Sequence, residues 1–340
     1  MTESTAHDIV CSVCIANYNG ELLLDACLRS VLDQSFHAGV EIIVHDDAST
    51  DRSLDVLSRH PTVRLIASES NVGFCESNNR MVAASKGRYV LLLNNDAALH
   101  ADALAVLLDA ASAHPAPSIL TLPQYDWDSG ALVDQGCLLD PFMNPVPRID
   151  EAGDVAMVIG ACLWIPRTLW DEIGGFPTWM GSLAEDMYLC CAARITGHRV
   201  RCVPHSGYRH MQGKTFGGNR VKDGRLSSTY RRRGLSERNK TYLLAVFTPA
   251  PFLPWIMALH VMALVAEGAA MTLLRRSLRP WKEVYGAAIV AAWKHRGLLK
   301  LTRSYWQGRR RVTAARYYEV FRWSPRKLDM LRRHGVPDLR

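Results

Sequence analysis

The segment YVLLLNNDAAL, residues 89–99, is an apolar run that ends abruptly in two amides and a carboxylate. Asn and Asp are common in turns because they tolerate left-handed backbone and bond their own main chain, so Asn94-Asn95-Asp96 is compatible with a simple turn. A strand in a parallel sheet, however, delivers polar groups to a ligand crevice at its carboxyl end. The segments on either side decide between these two interpretations.

Short β-rich runs alternate with helical patterns through the first 110 residues. Near-continuous apolar strands separated by helices indicate a parallel sheet covered on both faces. The predicted strands lie at residues 9–16, 40–45, 63–68 and 88–93, and the predicted helices at 22–34, 53–60 and 76–86. Farther along, strands are predicted at 156–166 and 198–204, with a helix at 185–196 between them. The fold class expected is therefore α/β, with a mostly parallel central sheet flanked by helices.

The composition predicts a large folded core in a reducing compartment. The chain has 340 residues, 48% of them apolar, which is enough for one large domain with an appendage. Its nine cysteines are odd in number and lack the repeated spacing of a metal site, so we expect small buried side chains. Residues 1–8 lack the basic and apolar regions of a secretory signal, which favours the cytosolic side.

The net charge of +7 is divided unevenly along the chain. Residues 1–198 hold 10 Lys and Arg against 26 Asp and Glu, a net charge of −16. Residues 199–240 hold 12 against 2, and residues 275–340 hold 18 against 4, which gives +10 and +14. An acidic first half followed by a basic second half indicates two roles, and the basic half would favour phosphates or anionic lipid.

Polar clusters follow three of the predicted strands at the point where each strand ends. They are Asn17-Tyr18-Asn19, Asp46-Asp47 and Asn94-Asn95-Asp96. An open α/β sheet binds nucleotides at the carboxyl ends of neighbouring strands. Because neither G-x-x-x-x-G-K-[ST] nor G-x-G-x-x-G follows the first strand, a nucleotide would be held here by side chains and a metal ion.

Five longer motifs occur in order along the chain. They are SVCIANYNGELLLDACLRSVLDQSF (12–36), EIIVHDDASTD (41–51), NVGFCESNNRMVAASKGRYVLLLNND (71–96), GGFPTWMGSLAEDMYLCCAARITGHRV (174–200) and VPHSGYRH (203–210). Together they resemble the family 2 glycosyltransferases, which have the GT-A fold, and especially the bacterial rhamnosyltransferase-like members that build surface polysaccharides. The resemblance covers about residues 9–240. It implies a nucleotide-activated sugar donor, a divalent cation (Mg²⁺ or Mn²⁺) and inversion of the anomeric centre.

The resemblance implies a nucleotide site at the first two strand ends. Asp47 would accept the imide hydrogen of a pyrimidine base, with Asp46 beside it, while Ala16 and Tyr18 would line the base. The alternative is that Asp46, Asp47 and Ser49 only cap the next helix. The other implied nucleotide contacts are Asn71 and Gly73 of the NVGF stretch, where Gly73 could instead serve only a turn, and Asn95.

By the same resemblance, Asn94-Asn95-Asp96 occupies the family's Asp-x-Asp position, with Asn in place of the first Asp. Asp96 would bind the cation, since Mg²⁺ and Mn²⁺ prefer oxygen ligands. Asn95 would contact the ribose or a metal-bound water. His210 matches a family histidine that ligates the metal, although a lone histidine is more often structural.

Glu185-Asp186 begins the helix predicted at 185–196. Acidic residues are common in a first helical turn because they complement the helix dipole, and this is the simplest interpretation. Glycosyl transfer, however, needs a base that takes the proton from the incoming hydroxyl. The resemblance makes Asp186 that base and Glu185 the residue that steadies the acceptor or the loop.

Further residues could complete such a site. Lys214 and the run Arg231-Arg232-Arg233 could close over a diphosphate, or the run could be a solvated or lipid-facing basic surface. The candidates for the wall of the acceptor site, which could equally belong to the core, are Gly160, Ala161, Trp179 and Met180.

Two other functions compete with glycosyl transfer. A sugar nucleotidyltransferase shares a nucleotide-binding α/β sheet, but it would want Arg or Lys in a Gly-rich loop after the first strand, and ANYNGEL (16–22) has neither. A non-enzymatic nucleic-acid-binding protein would explain the basic half. It does not explain the carboxylates at strand ends, which would repel phosphate without a metal, so no nucleic-acid partner is expected.

Residues 241–274 hold a single charge, Glu267. About 20 apolar residues suffice to cross a bilayer, but Pro249, Pro251 and Pro254 would break the first part as a helix. That leaves a predicted helix from about 255 to 274. Basic residues flank the segment on both sides, and one span cannot keep both flanks on the cytoplasmic side.

We therefore expect residues 241–340 to form a helical, basic and apolar region on the cytoplasmic face of the plasma membrane, peripheral or re-entrant. Residues 1–240 would be the catalytic domain, with a nucleotide-sugar half at about 9–115 and an acceptor half at about 116–240. The acceptor would then be a glycan on a membrane lipid, and trimming from residue 241 should release a soluble, donor-binding domain. The alternative is that residues 241–274 pack as a helical core.

Overall fold

The computed structural model describes residues 9–36, 39–114, 116–211, 220–222 and 225–340, so the predictions made for residues 1–8 and Lys214 lie outside the described residues. The first part of the chain forms β1 (Cys11–Asn17), α1 (Leu24–Leu32), β2 (Val40–Asp46), α2 (Ser53–Ser58), β3 (Arg64–Ala67), α3 (Phe74–Ala84), β4 (Tyr89–Asn94), β5 (Ala97–Leu99), α4 (Ala103–Ser112), β6 (Ser118–Thr121), β7 (Gln124–Asp126), β8 (Leu132–Asp134), β9 (Cys137–Leu139) and β10 (Pro145–Pro147).

The second part continues the alternation and then becomes helical. It forms β11 (Gly153–Asp154), β12 (Cys162–Pro166), α5 (Arg167–Ile173), a 3₁₀ turn (Thr178–Met180), α6 (Glu185–Ile195), β13 (Arg199–Cys202), β14 (Tyr208–His210), β15 (Arg220–Lys222), β16 (Arg225–Ser228), α7 (Tyr230–Phe247), α8 (Leu253–Arg275), a π-helical turn (Trp281–Tyr285), α9 (Gly286–Lys294), α10 (Arg296–Gly308), α11 (Ala314–Tyr318), α12 (Arg326–His334) and β17 (Asp338–Leu339).

An eight-stranded sheet in the order β11-β13-β6-β12-β4-β1-β2-β3 forms the centre of the fold. Strands β3, β2, β1 and β4 are parallel, and β12 runs antiparallel to both β4 and β6. Val90 and Leu92 of β4 enter one buried apolar cluster, while Leu91 and Leu93 enter another on the opposite face. Burial on both faces explains why β4 is apolar at successive positions. The predicted α/β fold with a mostly parallel sheet is confirmed.

Antiparallel pairings bring two later segments to the edge where the parallel strands end. Because β12 runs against β4, the residues before β12 lie beside the end of β4, and Asn94 N donates to Ala161 O at 3.1 Å. In a second, four-stranded sheet, β14 runs antiparallel to β5 and pairs His210 with Ala97. The predicted metal residues Asp96 and His210 are therefore neighbours.

The strand predicted at 156–166 is wrong in its first part. Strand β12 begins only at Cys162, and the chain before it bridges to β9 instead, where Met157 pairs with Cys137. The strand and the irregular segment before it are both buried, and an apolar run in the sequence does not distinguish a buried strand from a buried irregular segment. All nine cysteines are buried and free, as predicted.

The C-terminal helices share a core with the α/β part. Tyr188 of α6 packs edge-on against Phe247 of α7, and Trp306 of α10 donates from Nε1 to the Tyr188 hydroxyl at 2.8 Å. Helix α7 runs unbroken through residue 240, so the domain boundary predicted there falls inside a helix. The predicted break at the prolines is confirmed, because α7 ends at Phe247 and α8 begins at Leu253.

Candidate active site

A chain of hydrogen bonds joins the carboxyl ends of β2, β1 and β4. Asn17 Nδ2 donates to Asp46 Oδ1 at 2.8 Å, and Asn95 Nδ2 donates to Asn17 Oδ1 at 2.7 Å. Asp46 Oδ2 accepts from Ser49 N at 3.0 Å. Asn17 and Asp46 are each 1% exposed, so they brace the strand ends rather than face solvent. The nucleotide contact predicted for Asp46 is corrected accordingly, since its two oxygens are turned into the protein.

Asp47 faces the loop that precedes α3. Its Oδ1 accepts from Val72 N at 2.6 Å, its Oδ2 accepts from Gly73 N at 2.9 Å, and Asn71 Nδ2 lies 3.4 Å from the Asp47 carbonyl oxygen. Gly73 has a φ of +86°, and a Cβ built there would meet no neighbouring atom within 4 Å. Glycine is therefore favoured by the positive φ and not by a lack of space for a side chain. Asp47 therefore fixes the loop that leads into α3, and its side chain does not cap α2, the helix that follows it in sequence.

Ala16 and Tyr18 lie at the same edge of the sheet. Ala16 pairs in register with Asn94 of β4 and is partly buried. Tyr18 follows β1 directly and is 43% exposed, so its ring is available to a ligand. The fold thus brings together the strand-end residues that the sequence marks as a nucleotide site.

Asp96 and His210 meet where β14 pairs with β5. His210 Nε2 lies 3.1 Å from Asp96 Oδ1, and each residue is 7% exposed. On the other side of the ring, Gln124 Oε1 lies 3.2 Å from His210 Nδ1 and accepts from the Tyr208 hydroxyl at 2.9 Å. If Nδ1 donates to this oxygen, the Nε2 lone pair faces the Asp96 carboxylate, so the contact needs a proton on Nε2 or a cation shared by the two groups.

This pair fits a divalent cation as two of its ligands. Neighbouring oxygen and nitrogen ligands on an octahedral ion with bonds of about 2.1 Å lie about 3.0 Å apart, close to the 3.1 Å between Asp96 Oδ1 and His210 Nε2. Within the part of the chain that the structure describes, no group of three or more His, Cys, Asp or Glu surrounds such a position. Phosphate oxygens and water would have to complete the shell, as is usual for Mg²⁺.

Glu185 and Asp186 begin α6 close to this edge. Asp186 Oδ2 accepts from Gly160 N at 3.1 Å, and Asp186 Oδ1 accepts from Met187 N at 2.7 Å. Gly160 precedes β12, which is the neighbour of β4, so Asp186 lies one strand away from the Asn94-Asn95-Asp96 turn. Glu185 Oε2 is buried without a hydrogen-bond partner among the described residues.

The two carboxyls differ in how strongly they hold a proton. Burial, and then the charge of Asp186, raises the pKa of Glu185 to about 8. Burial also raises the pKa of Asp186, but the N–H groups of Gly160 and Met187 oppose that rise because they stabilise the ionised carboxylate. Asp186 therefore ionises first, and Glu185 keeps its proton near neutral pH. Two carboxyls with separated pKa values are typical of sites that carry out acid–base chemistry.

Comparison with known proteins matches residues 12–174 to the family model described as Glycosyl transferase family 2. This part of the chain, just under half of its length, is therefore similar to a family 2 glycosyltransferase domain. The putative teichuronic acid biosynthesis glycosyltransferase TuaG of Bacillus subtilis is 34% identical over 89 residues, 25% of this chain and 35% of that protein. The UDP-Glc:alpha-D-GlcNAc-diphosphoundecaprenol beta-1,3-glucosyltransferase WfaP of Escherichia coli is 33% identical over 87 residues, 25% of this chain and 34% of that protein. The matched segments span about a third of the length of these relatives.

Two solved structures share the fold of this chain. TarS 1-349 of S. aureus, in complex with UDP, has 16% sequence identity and a TM-score of 0.58, with 93% of each chain covered. The mannosyltransferase PcManGT of Pyrobaculum calidifontis, in complex with GDP-Man and Mn²⁺, has 20% identity and a TM-score of 0.51, with 84% of this chain and 86% of that chain covered. At these identities the likeness establishes the fold, which is GT-A-like.

Two of the residues predicted to line an acceptor site belong to the core of the protein. Ala161 and Met180 are 0% exposed and lie in the two apolar clusters, so their side chains cannot meet an acceptor. Gly160 acts through its backbone N–H, which holds Asp186. Trp179 keeps a partly exposed ring, with its centroid 5.9 Å from that of Tyr242, and it remains the acceptor-wall candidate.

The three arginines of the run Arg231-Arg232-Arg233 have different surroundings in the fold. Arg233 pairs with Glu237 at 3.1 Å and with Glu267 at 3.5 Å, so its side chain joins α7 to α8 and fits neither the diphosphate contact nor the solvated surface considered for the run. Burial lowers the pKa of Arg232, and the charge of Glu185 opposes this shift, which indicates that Arg232 lies near Glu185. Arg231 is exposed.

Several residues of the candidate site could not be recognised from the sequence. A Cβ at Gly20 would overlap the Asn17–Asn95 hydrogen bond, so glycine is required there, and the only signal was its place after a polar strand end. Gln124 sits behind His210 through a pairing of β14 with β7 that no local pattern announces. Asn239, which bonds the loop before α6, lies in a helix that looks merely basic and apolar.

Proposed function

We propose that the protein is an inverting glycosyltransferase, which moves a sugar from a nucleoside-diphosphate donor to a hydroxyl of a glycan acceptor in cell-surface polysaccharide synthesis. The observation that carries this proposal is the placement of Asp186. Its carboxylate is held by Gly160 N, one strand away from the polar strand ends that suit a nucleotide. TuaG and WfaP, named for teichuronic acid biosynthesis and for glucosyl transfer, support the process proposed.

The chemistry asks for one ionised carboxylate beside the acceptor. Asp186 takes the hydroxyl proton while the acceptor oxygen attacks the anomeric carbon from the face opposite the departing diphosphate, which inverts that carbon. Two N–H donors keep Asp186 ionised at a pH where Glu185 is still protonated. Protonated Glu185 can donate a hydrogen bond and so steady the acceptor or the loop without repelling the base.

The donor that we propose is a sugar on a pyrimidine nucleoside diphosphate, with dTDP-L-rhamnose as the first candidate. Each Asp47 oxygen already accepts one backbone N–H, but a carboxylate oxygen has a second lone pair for the imide hydrogen of the base. Tyr18 and Ala16 would lie against the base, and Asn95 against the ribose. The neighbour TarS was solved with UDP, which is consistent with a pyrimidine donor here.

We propose that Mg²⁺ or Mn²⁺ binds to Asp96 and His210. Bound there, the cation would neutralise charge on the diphosphate as it leaves. Asn94 replaces a carboxylate at the first position of this turn, so Asp96 would be the single carboxylate ligand. The neighbour PcManGT was solved with Mn²⁺ together with its nucleotide sugar.

We also propose that the enzyme lies on the cytoplasmic face of the plasma membrane and takes a lipid-linked acceptor. Helix α8 packs on the protein through one face, formed by Ile256, His260, Leu264, Gly268 and Met271. Its outer face is apolar and exposed, with Trp255 at 75%, Met262 at 58% and Leu273 at 77%. Among the described helices, α8 is the one long and apolar enough to cross a membrane, with 28% of its apolar window buried.

A helix that packs along one face and exposes apolar side chains on the other fits the interface better than a span. The neighbouring surface has the composition of such an interface, since the Arg296 guanidinium lies 4.5 Å from the Trp293 ring and the Arg309 guanidinium 3.7 Å from the Tyr305 ring. Exposed aromatic and basic side chains together suit anionic headgroups. Nine buried, unpaired cysteines also suit the reducing, cytoplasmic side.

Replacing Trp255 and Leu259 together by Glu should release the protein from anionic vesicles. The two side chains are 75% and 51% exposed, and their transfer from water into lipid is worth roughly 3 kcal/mol together, or about 100-fold in partitioning. High salt alone should loosen the parent only in part, because apolar burial is not screened. Vesicle flotation measures the bound fraction.

The matched control for vesicle binding is Leu65→Glu, which makes the same change on the exposed edge strand β3. It should float with vesicles as the parent does. Truncation at residue 241 would remove the buried Tyr242, Leu243 and Phe247 from the core, so we expect it to destabilise the remaining chain and not to release a soluble domain. A parent protein that ignores anionic vesicles would end the membrane proposal.

The donor proposal predicts which nucleotide is released. Full-length protein with Mn²⁺ and a panel of dTDP-, UDP- and GDP-sugars should release a pyrimidine nucleoside diphosphate from at least one donor, faster with a glycan acceptor than without. The Asp186→Asn protein serves as the blank. Binding of none of the nucleotides, combined with salt-dependent binding of DNA, would overturn the proposal in favour of the nucleic-acid alternative.

A further inference from the structure

The loop between the 3₁₀ turn and α6 is held by one side chain of α7. Asn239 Nδ2 lies 2.6 Å from the Leu183 carbonyl oxygen, 3.0 Å from that of Ser182 and 3.2 Å from that of Met180. Asn239 is 0% exposed, so water does not compete for these carbonyls. One amide therefore gathers three carbonyl groups of the segment that leads directly into Glu185 and Asp186.

The orientation of the Asn239 amide is itself fixed. Arg238 Nε donates to Asn239 Oδ1 at 2.9 Å, which turns the Nδ2 group toward the loop. Arg238 Nη2 also donates to the Met180 carbonyl oxygen at 2.5 Å. The carbonyl left between these partners, that of Gly181, accepts from Cys75 Sγ at 2.9 Å. Four successive carbonyls of the loop thus end on side chains of α7 and α3.

The same loop contains backbone that needs external support. Leu183 and Ala184 have φ values of +74° and +66°, a left-handed region that non-glycine residues adopt at a cost. Such conformations persist where surrounding contacts hold them, and they are concentrated at functional sites. The residue that follows these two is Glu185, so the direction in which α6 begins depends on this turn.

The position of α7 is anchored independently of the loop. Lys240, the neighbour of Asn239, is buried and donates to Asn144 Oδ1 at 2.6 Å and to Glu237 Oε1 at 3.1 Å. Lys327 of α12 donates to Glu237 Oε2 at 3.0 Å. Helix α7 is therefore held in place by contacts outside the loop, and Asn239 can position the loop from it.

We infer that Asn239 is a positioning residue for glycosyl transfer: it holds the left-handed turn at Leu183 and Ala184 so that the Asp186 carboxylate stays on Gly160 N. This inference rests on the proposed role of Asp186 as the base. It also makes α7 the element through which the C-terminal helices support Glu185 and Asp186. Among the described residues, the hydrogen bonds of Asn239 go to Arg238 and the loop, and not to the strand ends proposed for the donor or to Asp186.

The experiment compares three variants in the full chain, with kcat, the KM for the donor, nucleoside-diphosphate affinity and Tm measured for each. Asn239→Ala should lower kcat about 10- to 100-fold and leave nucleotide affinity within about twofold, because the strand ends are untouched. Asn239→Ser, whose hydroxyl can still donate one hydrogen bond, should fall between Asn239→Ala and the parent. Thr241→Val is the matched control, since Thr241 is a buried polar residue of the same helix that bonds Glu237 and His260 instead of the loop.

A structural role alone would lower Tm in Asn239→Ala and Thr241→Val alike and leave kcat of the folded protein unchanged in both, and that result overturns the inference. If Asn239→Ala does not fold, the partly exposed Arg238 gives a second test, and Arg238→Met with unchanged kcat also overturns it. Failure of the proposed function looks different. In that case Asp186→Asn keeps full activity, whereas failure of this inference leaves Asp186→Asn inactive and Asn239→Ala active.

Discussion

Asp186→Asn should lower kcat about 10²–10⁴-fold, the usual contribution of a positioned general base. The amide keeps the shape of the carboxylate, so Gly160 N can still donate to the side-chain oxygen, but the group that takes the proton is lost. Donor binding should survive, because the strand ends that carry Asp47 and Asn95 are unchanged. Transfer assays and nucleotide titration of the same preparation measure the two effects.

The dependence of kcat/KM on pH in the parent protein should also reflect the pKa of Asp186. A carboxylate base works only when ionised, so kcat/KM should fall as the pH drops through the pKa of Asp186, which burial places above the ordinary value for Asp. The acidic side of the pH profile of kcat/KM should therefore fall at a higher pH than it would with an exposed carboxylate as the base. Transfer by Asp186→Asn at the parental rate would show that Asp186 is not the base.

Glu185→Gln is the matched control for this prediction. The pKa of Glu185 is about 8, so at pH 7 the residue is mostly protonated, and Gln preserves a neutral donor of the same shape. Its activity at pH 7 should stay within about 10-fold of the parent. A carboxyl whose pKa is raised by folding destabilises the protein as the pH rises from about 4.5 through about 8, so Glu185→Gln should be no more stable than the parent at pH 4 but more stable at pH 9.

The sheet and its polar edge were predictable because their signals are local. Leu91 and Leu92 face opposite clusters, so β4 had to be apolar at successive positions, and a continuous apolar run bounded by Asn94 can be recognised without a partner strand. The polar residues at the ends of β1, β2 and β4 then share an edge because parallel strands end on the same side. That step requires only the direction of the strands.

The different contacts made by the polar residues at that edge could not be predicted from the sequence. Asp46 and Asp47 are adjacent and chemically identical, yet Asp46 is turned toward Asn17 and Ser49 while Asp47 reaches the loop before α3. Their directions depend on the exact end of β2, where prediction is least reliable. Ala161 and Met180 fail for a similar reason, since nearness to a catalytic residue in sequence does not say which way a side chain points.

Long-range contacts account for what the sequence left out. Asn239 bonds a carbonyl 56 residues earlier in the chain, and neither segment shows a pattern that would pair them. The boundary was expected at residue 240 because the composition of the chain changes there. Helix α7 nevertheless continues through this position, and it has buried residues both before and after it. A change in composition along the chain therefore does not have to coincide with the end of a helix or of a domain.

Asp96→Ala should lower kcat/KM about 10²–10³-fold and weaken nucleoside-diphosphate binding in the presence of Mn²⁺. Asp96 would be the single carboxylate ligand at the strand end, because Asn94 and Asn95 can offer only amide oxygens and Asn95 is already bonded to Asn17. His210→Ala should do less damage, since a carboxylate brings charge to the cation and a neutral imidazole does not. EDTA should stop the parent, and added Mn²⁺ should restore it.

The control for this prediction is Asp102→Ala, which removes a carboxylate six residues farther along that bonds Ser206 at the surface. It should leave the Mn²⁺ dependence of nucleotide binding as in the parent, so a loss specific to Asp96 cannot be a general effect of charge. The binding titration is decisive because it requires no acceptor. Full activity in EDTA, with equal nucleotide affinity in Asp96→Ala and the parent, would mean that the contact between Asp96 and His210 is a proton-bridged pair and that Asn94-Asn95-Asp96 is a strand-ending turn.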